Sequence, residues 1–451
     1  MLSPKISRKG DHAIVVGGGI AGLLFARVLV GHFERITLIE RDRYPTEAAF
    51  RAGVPQGRHV HTMLLRGQAC LERLFPGLTS TLLAHGAVER DFVNDSIYYY
   101  GARCAREPSG LRGYNCSRPF LEHHIHQEVK RYNQISILEA HEVVSLLFDQ
   151  NAQVVCGVRF HRREPNCELQ DLQGDLVIDA SGASSRILQW LEELGYEKPD
   201  ETVMNAYLGY ASRIYEAPSD HQPAWKSIAI QATERHRRGG VLLAAEKGRW
   251  IVALAGAGKD YPPTDELDYL AFARSLPDQA LYDAIQGAKP LSPIYGYRKT
   301  ENRWRHFERL ERQPEGLFVV GDAMCVFNPM YGQGMTVTLF EALAFDACLR
   351  SMKGQKGLAR LFQRKVARIL AFPWQLAASA DARLLGEDSR AKGTRRWLRQ
   401  YLEAVQAAAP YEPQVFRAML GVTHMVHSPL ALFHPQIVVK VVASHQKRGA
   451  K

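Results

Sequence analysis

Cysteine is scarce in this sequence and is not arranged in pairs. Seven cysteines, at positions 70, 104, 116, 156, 167, 325 and 348, are spread over 451 residues; the number is odd and no C-x-x-C occurs. This excludes a disulfide framework and a structural zinc site as expectations, and a reducing, cytoplasmic setting fits. Long apolar runs are missing as well. The basic start, residues 1–11, leads only into the short run 13–16, which lacks the apolar length of a secretory signal. Residues 418–439 carry no formal charge over 22 positions, but Pro429, Pro435, His424, His427 and His434 argue against a spanning helix. That segment reads as a tail docked onto the body, with a peripheral membrane contact as the alternative. Low-complexity segments and internal repeats are absent too.

Acidic charge is in deficit: 47 Asp and Glu stand against 57 Lys and Arg, a net charge of +10. The excess is dispersed, with only short clusters such as 235–238 and 395–396. No basic helix, zinc finger or RNA-binding signature is present, so nucleic acid is not an expected partner. A dispersed positive field favours anionic cofactors or an anionic membrane surface. Apolar residues at 46% and charged residues at 23% are ordinary for a globular chain. At about 150 residues per domain, the length suits two or three domains.

The first segment that carries chemistry is near the start. Residues 12–16 are apolar and β-branched, and glycines follow at once. Residues 20–30 carry apolar side chains at helical spacing, and 36–39 form a second apolar run closed by Glu40. The pattern Gly17-x-Gly19-x-x-Gly22 therefore follows a strand and opens a helix, with an acidic residue at the end of the next strand. The first glycine permits the tight turn, the second lets the backbone approach a pyrophosphate, and the third allows close helix–strand packing. The phosphates sit at the positive helix N-terminus, and Glu40 can accept bonds from ribose hydroxyls. This predicts a dinucleotide site.

Further strands are expected at 135–138, 154–160, 176–178 and 317–320. A second cluster at 227–232, 241–245 and 250–255 reads as an antiparallel sheet in a separate lobe. A helix is expected from Gly332 onward, and 351–410 reads as mostly helical.

After the strand at 317–320 the chain runs Gly321-Asp322-Ala323, then Asn328-Pro329-Met330-Tyr331-Gly332-Gln333-Gly334-Met335. This resembles the second FAD-binding signature of the group A flavoprotein monooxygenases, the p-hydroxybenzoate hydroxylase-like family. The resemblance implies that Asp322 bonds a ribitol hydroxyl of FAD. It also implies that Pro329, Gly332, Gly334 and Met335 form the helix start facing the flavin pyrimidine edge. Amide donors and a helix dipole there stabilise negative charge on a reduced flavin. The segment Arg51-Ala52-Gly53-Val54 resembles the loop whose arginine reaches the FAD pyrophosphate. Its continuation through His59 and His61 is closest in style to the polyene epoxidases of polyether biosynthesis. Arg118 resembles the helix-borne arginine near the flavin, Val143 the position where backbone groups meet adenine, and Arg41 joins the cofactor-binding set beside Glu40.

The resemblance covers roughly residues 12–350 and implies an α/β fold: a Rossmann-like FAD-binding domain (10–75, 116–200 and 300–350) interleaved with an antiparallel-sheet substrate domain (76–115 and 201–299). A mostly helical C-terminal region (351–451) follows. The activity it implies is FAD-dependent monooxygenation. Reduced flavin reacts with dioxygen to give a C4a-hydroperoxyflavin, whose terminal oxygen passes to a lipophilic alkene or aromatic small molecule by epoxidation or hydroxylation. No catalytic side chain is assigned, because epoxidation needs no base on the substrate. Tyr210, Tyr295 and Tyr297 are candidate pocket residues.

The chain departs from the family pattern at Ser181, where an aspartate is expected; Cys325 and Thr336 also replace usual residues. In an extended strand end, Asp179 would point the same way as Ser181 from about 6–7 Å. The departure implies slow reduction by NAD(P)H alone and a separate flavin reductase as the further electron source. A metal site at His59-x-His61 or His123-His124-x-His126 lacks completing carboxylates, so no metal is expected. Two other enzyme readings remain: a flavin-dependent reductase that saturates prenyl or polyene chains, and a flavin-dependent halogenase, for which the expected W-x-W-x-I-P motif is absent. A non-catalytic flavoprotein acting as an interaction module is the third alternative.

Overall fold

A computed structural model describes residues 9–218, 223–233, 235–385 and 394–449. Readings made on residues 1–8, on 386–393 and on the Arg395 side chain lie outside the described residues. The opening unit is β1 (Gly10–Val16), α1 (Ile20–Leu29) and β2 (Phe33–Glu40), as the periodicity predicts. These strands belong to a five-stranded sheet in which every pair is parallel. Its order is Leu317–Val319, Leu176–Asp179, β1, β2, Ile135–Glu139. Continuous apolar runs suit such a sheet, because both of its faces are covered.

The covering is aromatic. Phe25 of α1 packs 5.5 Å from Phe345 and 6.3 Å from Phe362, and Phe318 sits 5.0 Å from Phe345. The helices Gly334–Ser351 and Leu358–Leu385 are thereby tied to the sheet, and the second signature is placed beside the first. A three-stranded antiparallel sheet, His141–Asp149 with Val154–Arg162 and Gln170–Gln173, adds Val143, Val155 and Val158 to the same core.

The second lobe is a six-stranded sheet in the order Tyr295–Tyr297, Gly209–Glu216, Arg249–Gly256, Arg238–Ala245, Ser227–Ile230, Ser96–Tyr99. All neighbours are antiparallel except the last pair, where Ser96–Tyr99 runs parallel to Ser227–Ile230. The expected cluster lacked Gly209–Glu216, which is nonetheless central. Its small and polar residues hide it from a period-two reading, yet Tyr210 to Arg213 are all buried between neighbours.

The C-terminal region is helical, with a break after Ser351 and a restart at Leu358. The helices Thr394–Ala408, Pro413–Thr423 and Pro435–Gly449 share a core with Leu65, Phe92 and Leu111. The uncharged segment docks through His424, whose ring accepts from the Leu65 amide at 3.3 Å and lies 4.2 Å from Phe92. No helix among the described residues is long and apolar enough to cross a membrane.

Candidate cofactor cleft and active site

The carboxyl ends of β1 and β2 open onto a cleft of about 1380 Å³. Single small-ligand pockets measure roughly 300–1,000 Å³, so this cleft has room for a dinucleotide and a second molecule. Gly17, Gly19, Glu40, Arg41, Arg51, Arg118, Val143, Asp322, Pro329, Gly332, Gly334 and Met335 all line it. Gly22 is the one candidate that does not: it lies one turn inside α1, against the glycine turn.

The three glycines do different things. Gly17 has φ +96°, and a Cβ there would stand 2.6 Å from the Ala180 carbonyl oxygen. A Cβ on Gly22 would stand 1.8 Å from the Gly17 carbonyl oxygen, closer than any side chain tolerates. A Cβ on Gly19 would meet nothing within 4 Å, because that position faces the open cleft. Gly19 is the N-cap of α1 and supplies no side-chain cap, so the first amides of the helix are left for a ligand.

Glu40 ends β2 with its carboxylate held by backbone amides, accepting from Gly18 at 2.6 Å and Asp42 at 2.8 Å. Arg51 is buried beside it. Its Nε and Nη2 donate to Glu122 at 2.8 and 2.6 Å, Nη2 donates to the Gly18 carbonyl at 3.3 Å, and Nη1 lies 3.3 Å from Glu40. Burial opposes this charge, but Glu122 and Glu40 outweigh it and hold the guanidinium protonated more firmly than usual. Glu122 also takes Arg118 at 3.2 Å, one helical turn away. Tyr44 donates to the Gly18 carbonyl, and its ring lies 4.7 Å under Arg51. The sequence reading missed Tyr44; nothing in the order of residues places it under the glycine turn.

At the other end, Gly321 adopts φ +58° and its amide donates to Glu341 at 2.7 Å. Burial pushes the Glu341 carboxyl up to about 8, despite that bond. The Asp322 carboxyl is also raised by burial, with Arg118 acting against the rise. No described group donates a hydrogen bond to it, so the carboxylate faces the cleft as a free acceptor. The helix expected from Gly332 starts at Gly334; Gly332 itself turns the chain at φ +62°. Gln333 is its N-cap and offers no side-chain cap. The loop before it is anchored from below. Asp381, on the helix Leu358–Leu385, accepts from Tyr331 at 2.5 Å, Asn302 at 2.7 Å and Asn328 at 3.4 Å. Asp381 carried no sequence signal, because a mid-helix aspartate reads as solvated.

The middle motif differs from its expected geometry. Asp179 and Ser181 are in direct contact: the Ser181 amide and hydroxyl donate to Asp179 at 3.0 and 2.5 Å. The chain turns after the strand, so the side chain of Asp179 caps its own turn and the separation of an extended chain does not apply. Ser185 donates to the same carboxylate.

On the side of the second sheet, Tyr297 lines the cleft and Tyr210 stacks behind it at 5.2 Å. Tyr295 lies under Arg58 at 4.8 Å. His59 is buried against both Tyr210 and Tyr297, 2.9 Å from the Ser212 hydroxyl, and burial with Arg58 nearby lowers its pKa to about 4. Among the described residues no group of three His, Cys, Asp or Glu side chains could hold a metal ion.

The donor set fits FAD. Two uncapped helix N-termini face one cleft, an acidic residue ends β2, and the half-buried Asp322 carboxylate, without a protein donor, lines the same cleft as Arg118.

Comparison with known proteins agrees. A family model described as "FAD binding domain" matches residues 11–377. The Mycobacterium tuberculosis protein Rv3254 is 32% identical over 392 residues, covering 84% of this chain and 82% of that protein. A kynurenine 3-monooxygenase from Salinispora tropica is 25% identical, covering 76% of this chain and 74% of its own. Among solved structures, p-nitrophenol 4-monooxygenase PnpA from Pseudomonas putida superposes with a TM-score of 0.63 at 18% identity, over 92% of this chain and 97% of its own. A flavin-dependent brominase superposes at 0.65 with 13% identity, over 98% of this chain and all of its own. These last two establish the shared fold.

Proposed function

Because this chain belongs to the FAD-binding domain family, with its p-hydroxybenzoate hydroxylase-like monooxygenases, and is an FAD-dependent oxidoreductase, we propose that it inserts one oxygen atom of O2 into a lipophilic alkene or aromatic substrate. The observation that carries this reading is the single cleft that joins both signatures to the face of the second sheet. When bound, FAD supplies the activation of dioxygen and the transfer of the oxygen atom.

The chain's own residues bind, orient and exclude water. The turn at Gly17, Gly19 and Gly22 admits a pyrophosphate to the amides of α1. Glu40 and Arg41 take the ribose end, Arg51 and Arg118 supply positive charge, and Val143 offers its backbone to adenine. Asp322 accepts from a ribitol hydroxyl. Pro329, Gly332, Gly334 and Met335 present the second helix start to the pyrimidine edge, where its dipole favours negative charge. Trp190, Tyr297 and Phe327 give the wall an apolar part, beside the charged Arg186, Arg298, Lys299, Glu301 and Arg303, and that part supports a lipophilic substrate. Residues 76–115 and 201–299 are read as the substrate domain, and 10–75, 116–200 and 300–350 as the FAD-binding domain. The electron source is NAD(P)H or a reductase partner, with Ser181 favouring the partner. Location in the cytoplasm belongs to the same reading. So does a peripheral membrane contact through the C-terminal region, supported by Leu430 at 74% and Val439 at 67% exposure.

The test has two parts. Denatured protein should release FAD and not FMN. Turnover of an alkene and aromatic panel under isotopically labelled dioxygen should place one labelled atom in the product. Product formed without dioxygen would overturn the monooxygenase reading in favour of a saturating reductase. Product that requires halide would overturn it in favour of a halogenase.

A further inference from the structure

The hairpin that joins the strands Arg238–Ala245 and Arg249–Gly256 of the second sheet turns through Lys247 at φ +60° and Gly248 at φ +62°. Glu246 opens that turn and is 4% exposed. A buried carboxylate ordinarily pairs with a cation, because folding has stripped it of water. Among the described residues, no Lys, Arg or His forms a hydrogen bond or salt bridge with it. Both of its oxygens go instead to one residue of the first lobe. Oε2 accepts from the Ser117 amide at 2.9 Å, and Oε1 accepts from the Ser117 hydroxyl.

Ser117 is the N-cap of the helix Arg118–Lys130. Its hydroxyl has a single proton. Given to Glu246, that proton leaves the oxygen free to accept, and it accepts from the Phe120 amide at 3.2 Å. Glu246 therefore fixes both the backbone and the hydroxyl of the cap. Its negative charge also sits at the positive end of the helix, where it is favoured. Arg118 is the first residue of this helix and lines the cofactor cleft. One turn further on, Glu122 takes Arg118 at 3.2 Å and the Arg51 Nη2 at 2.6 Å. A continuous line of contacts thus runs from the hairpin of the second sheet, through the cap, to both arginines of the cleft.

We propose that Glu246 is a positioning residue for Arg118: the hairpin of the second sheet holds the helix start that places this guanidinium in the cleft wall. The proposal rests on the reading of Arg118 as a cofactor contact. It makes a prediction that charge alone does not. Removing a negative charge near an anionic cofactor should by itself tighten binding, whereas loss of positioning should weaken it.

The experiment is a double-mutant cycle read by FAD titration, with the melting temperature of each cofactor-free variant as the check on folding. Arg118→Ala should bind FAD about 10-fold more weakly or worse. Glu246→Ala should bind it about 3- to 10-fold more weakly, equivalent to about 0.6–1.4 kcal/mol. The double variant should lie within about 2-fold of Arg118→Ala, because Glu246 has nothing left to position. Glu246→Gln keeps an acceptor for the Ser117 amide and can donate to its hydroxyl oxygen, so it should bind FAD within about 2-fold of wild type. If Glu246→Ala does not fold, Ser117→Ala, which removes only the hydroxyl link, takes its place in the cycle; it should weaken FAD binding about 3-fold and again add nothing to Arg118→Ala. Wild-type or tighter FAD binding by the Glu246→Ala variant or its stand-in, losses that add in the double variant, or a glutamine variant as weak as the alanine one would overturn the positioning role while the contact of Arg118 with the cofactor stands. Wild-type affinity in Arg118→Ala would remove the cofactor reading of Arg118, and the proposal with it.

Discussion

Two alanine substitutions three residues apart in one motif, at Gly19 and Gly22, should have opposite consequences. In Gly22→Ala the new methyl falls 1.8 Å from the Gly17 carbonyl oxygen and 2.9 Å from its carbon, both backbone atoms that cannot swing aside. Either α1 moves away from the sheet or the turn opens, and overpacking of this kind costs about 1–3 kcal/mol or more. Unfolding entropy of about 2.1 cal/mol/K per residue gives roughly 0.9 kcal/mol/K for a cooperative chain of this length, so the melting temperature of the cofactor-free protein should drop about 1–3 °C or more. In Gly19→Ala the methyl meets no protein atom within 4 Å, and the residue sits at φ −71°, where alanine is at ease. Cofactor-free stability should stay within about 0.5 kcal/mol of wild type. The methyl would nonetheless stand where a pyrophosphate must approach the first amides of α1, so FAD affinity should fall at least about 10-fold, or about 1.4 kcal/mol. The assay is thermal unfolding of both variants without cofactor, followed by fluorescence titration with FAD. Equal destabilisation of the two, or FAD binding by Gly19→Ala at wild-type affinity, would refute the assignment of fold role to Gly22 and ligand role to Gly19.

Other perturbations read out other parts of the cleft. Asp322→Ala removes a half-buried anionic acceptor worth about 1.5–3 kcal/mol to a bound hydroxyl, so FAD affinity measured by titration should fall about 10- to 150-fold. Asp381→Ala strands the donors of Tyr331, Asn302 and Asn328 and should lower unfolding free energy in urea by about 2–5 kcal/mol. Glu341 is pushed up to about 8 from an ordinary 4.5, so the folded protein holds a proton that the unfolded chain loses; its contribution to stability falls as pH rises from about 4.5 to 8. Glu341→Gln stays neutral, and its stability relative to wild type should therefore climb over that window in urea titrations. His59, lowered to about 4 from 6.5, acts in the opposite sense: its contribution is present above pH 6.5 and is lost as pH falls toward 4. His59→Asn, which keeps an amide for Ser212, should flatten that acid limb. Leu430→Glu with Val439→Glu should abolish co-flotation with anionic vesicles if the exposed C-terminal face docks there, and co-flotation equal to wild type would remove that contact.

The local order of residues determined what depends on near neighbours in the chain. Strand, glycine turn, helix and closing Glu40 form one unit because hydrophobic period, turn chemistry and helix start all lie within a few tens of residues. The Gly321-Asp322 strand end and the glycine-opened helix at 334 were legible for the same reason, and with them the cofactor class. Only the tertiary structure decided which distant groups meet. Glu122 and Tyr44 converge on Arg51, Asp381 reaches back to the Asn328 loop, and Ser96–Tyr99 pairs with Ser227–Ile230 from far upstream. Gly209–Glu216 escaped notice because burial on both sides lets small and polar residues sit in a central strand, where alternation carries no signal. Asp179 and Ser181 ended in contact because a turn replaces the extended geometry that a strand motif suggests. Buried polar groups such as the Asn115 amide, which has no described partner, acquire meaning only from burial, and burial is a property of the packed molecule: the cost of an unpaired group depends on the water that folding has taken away.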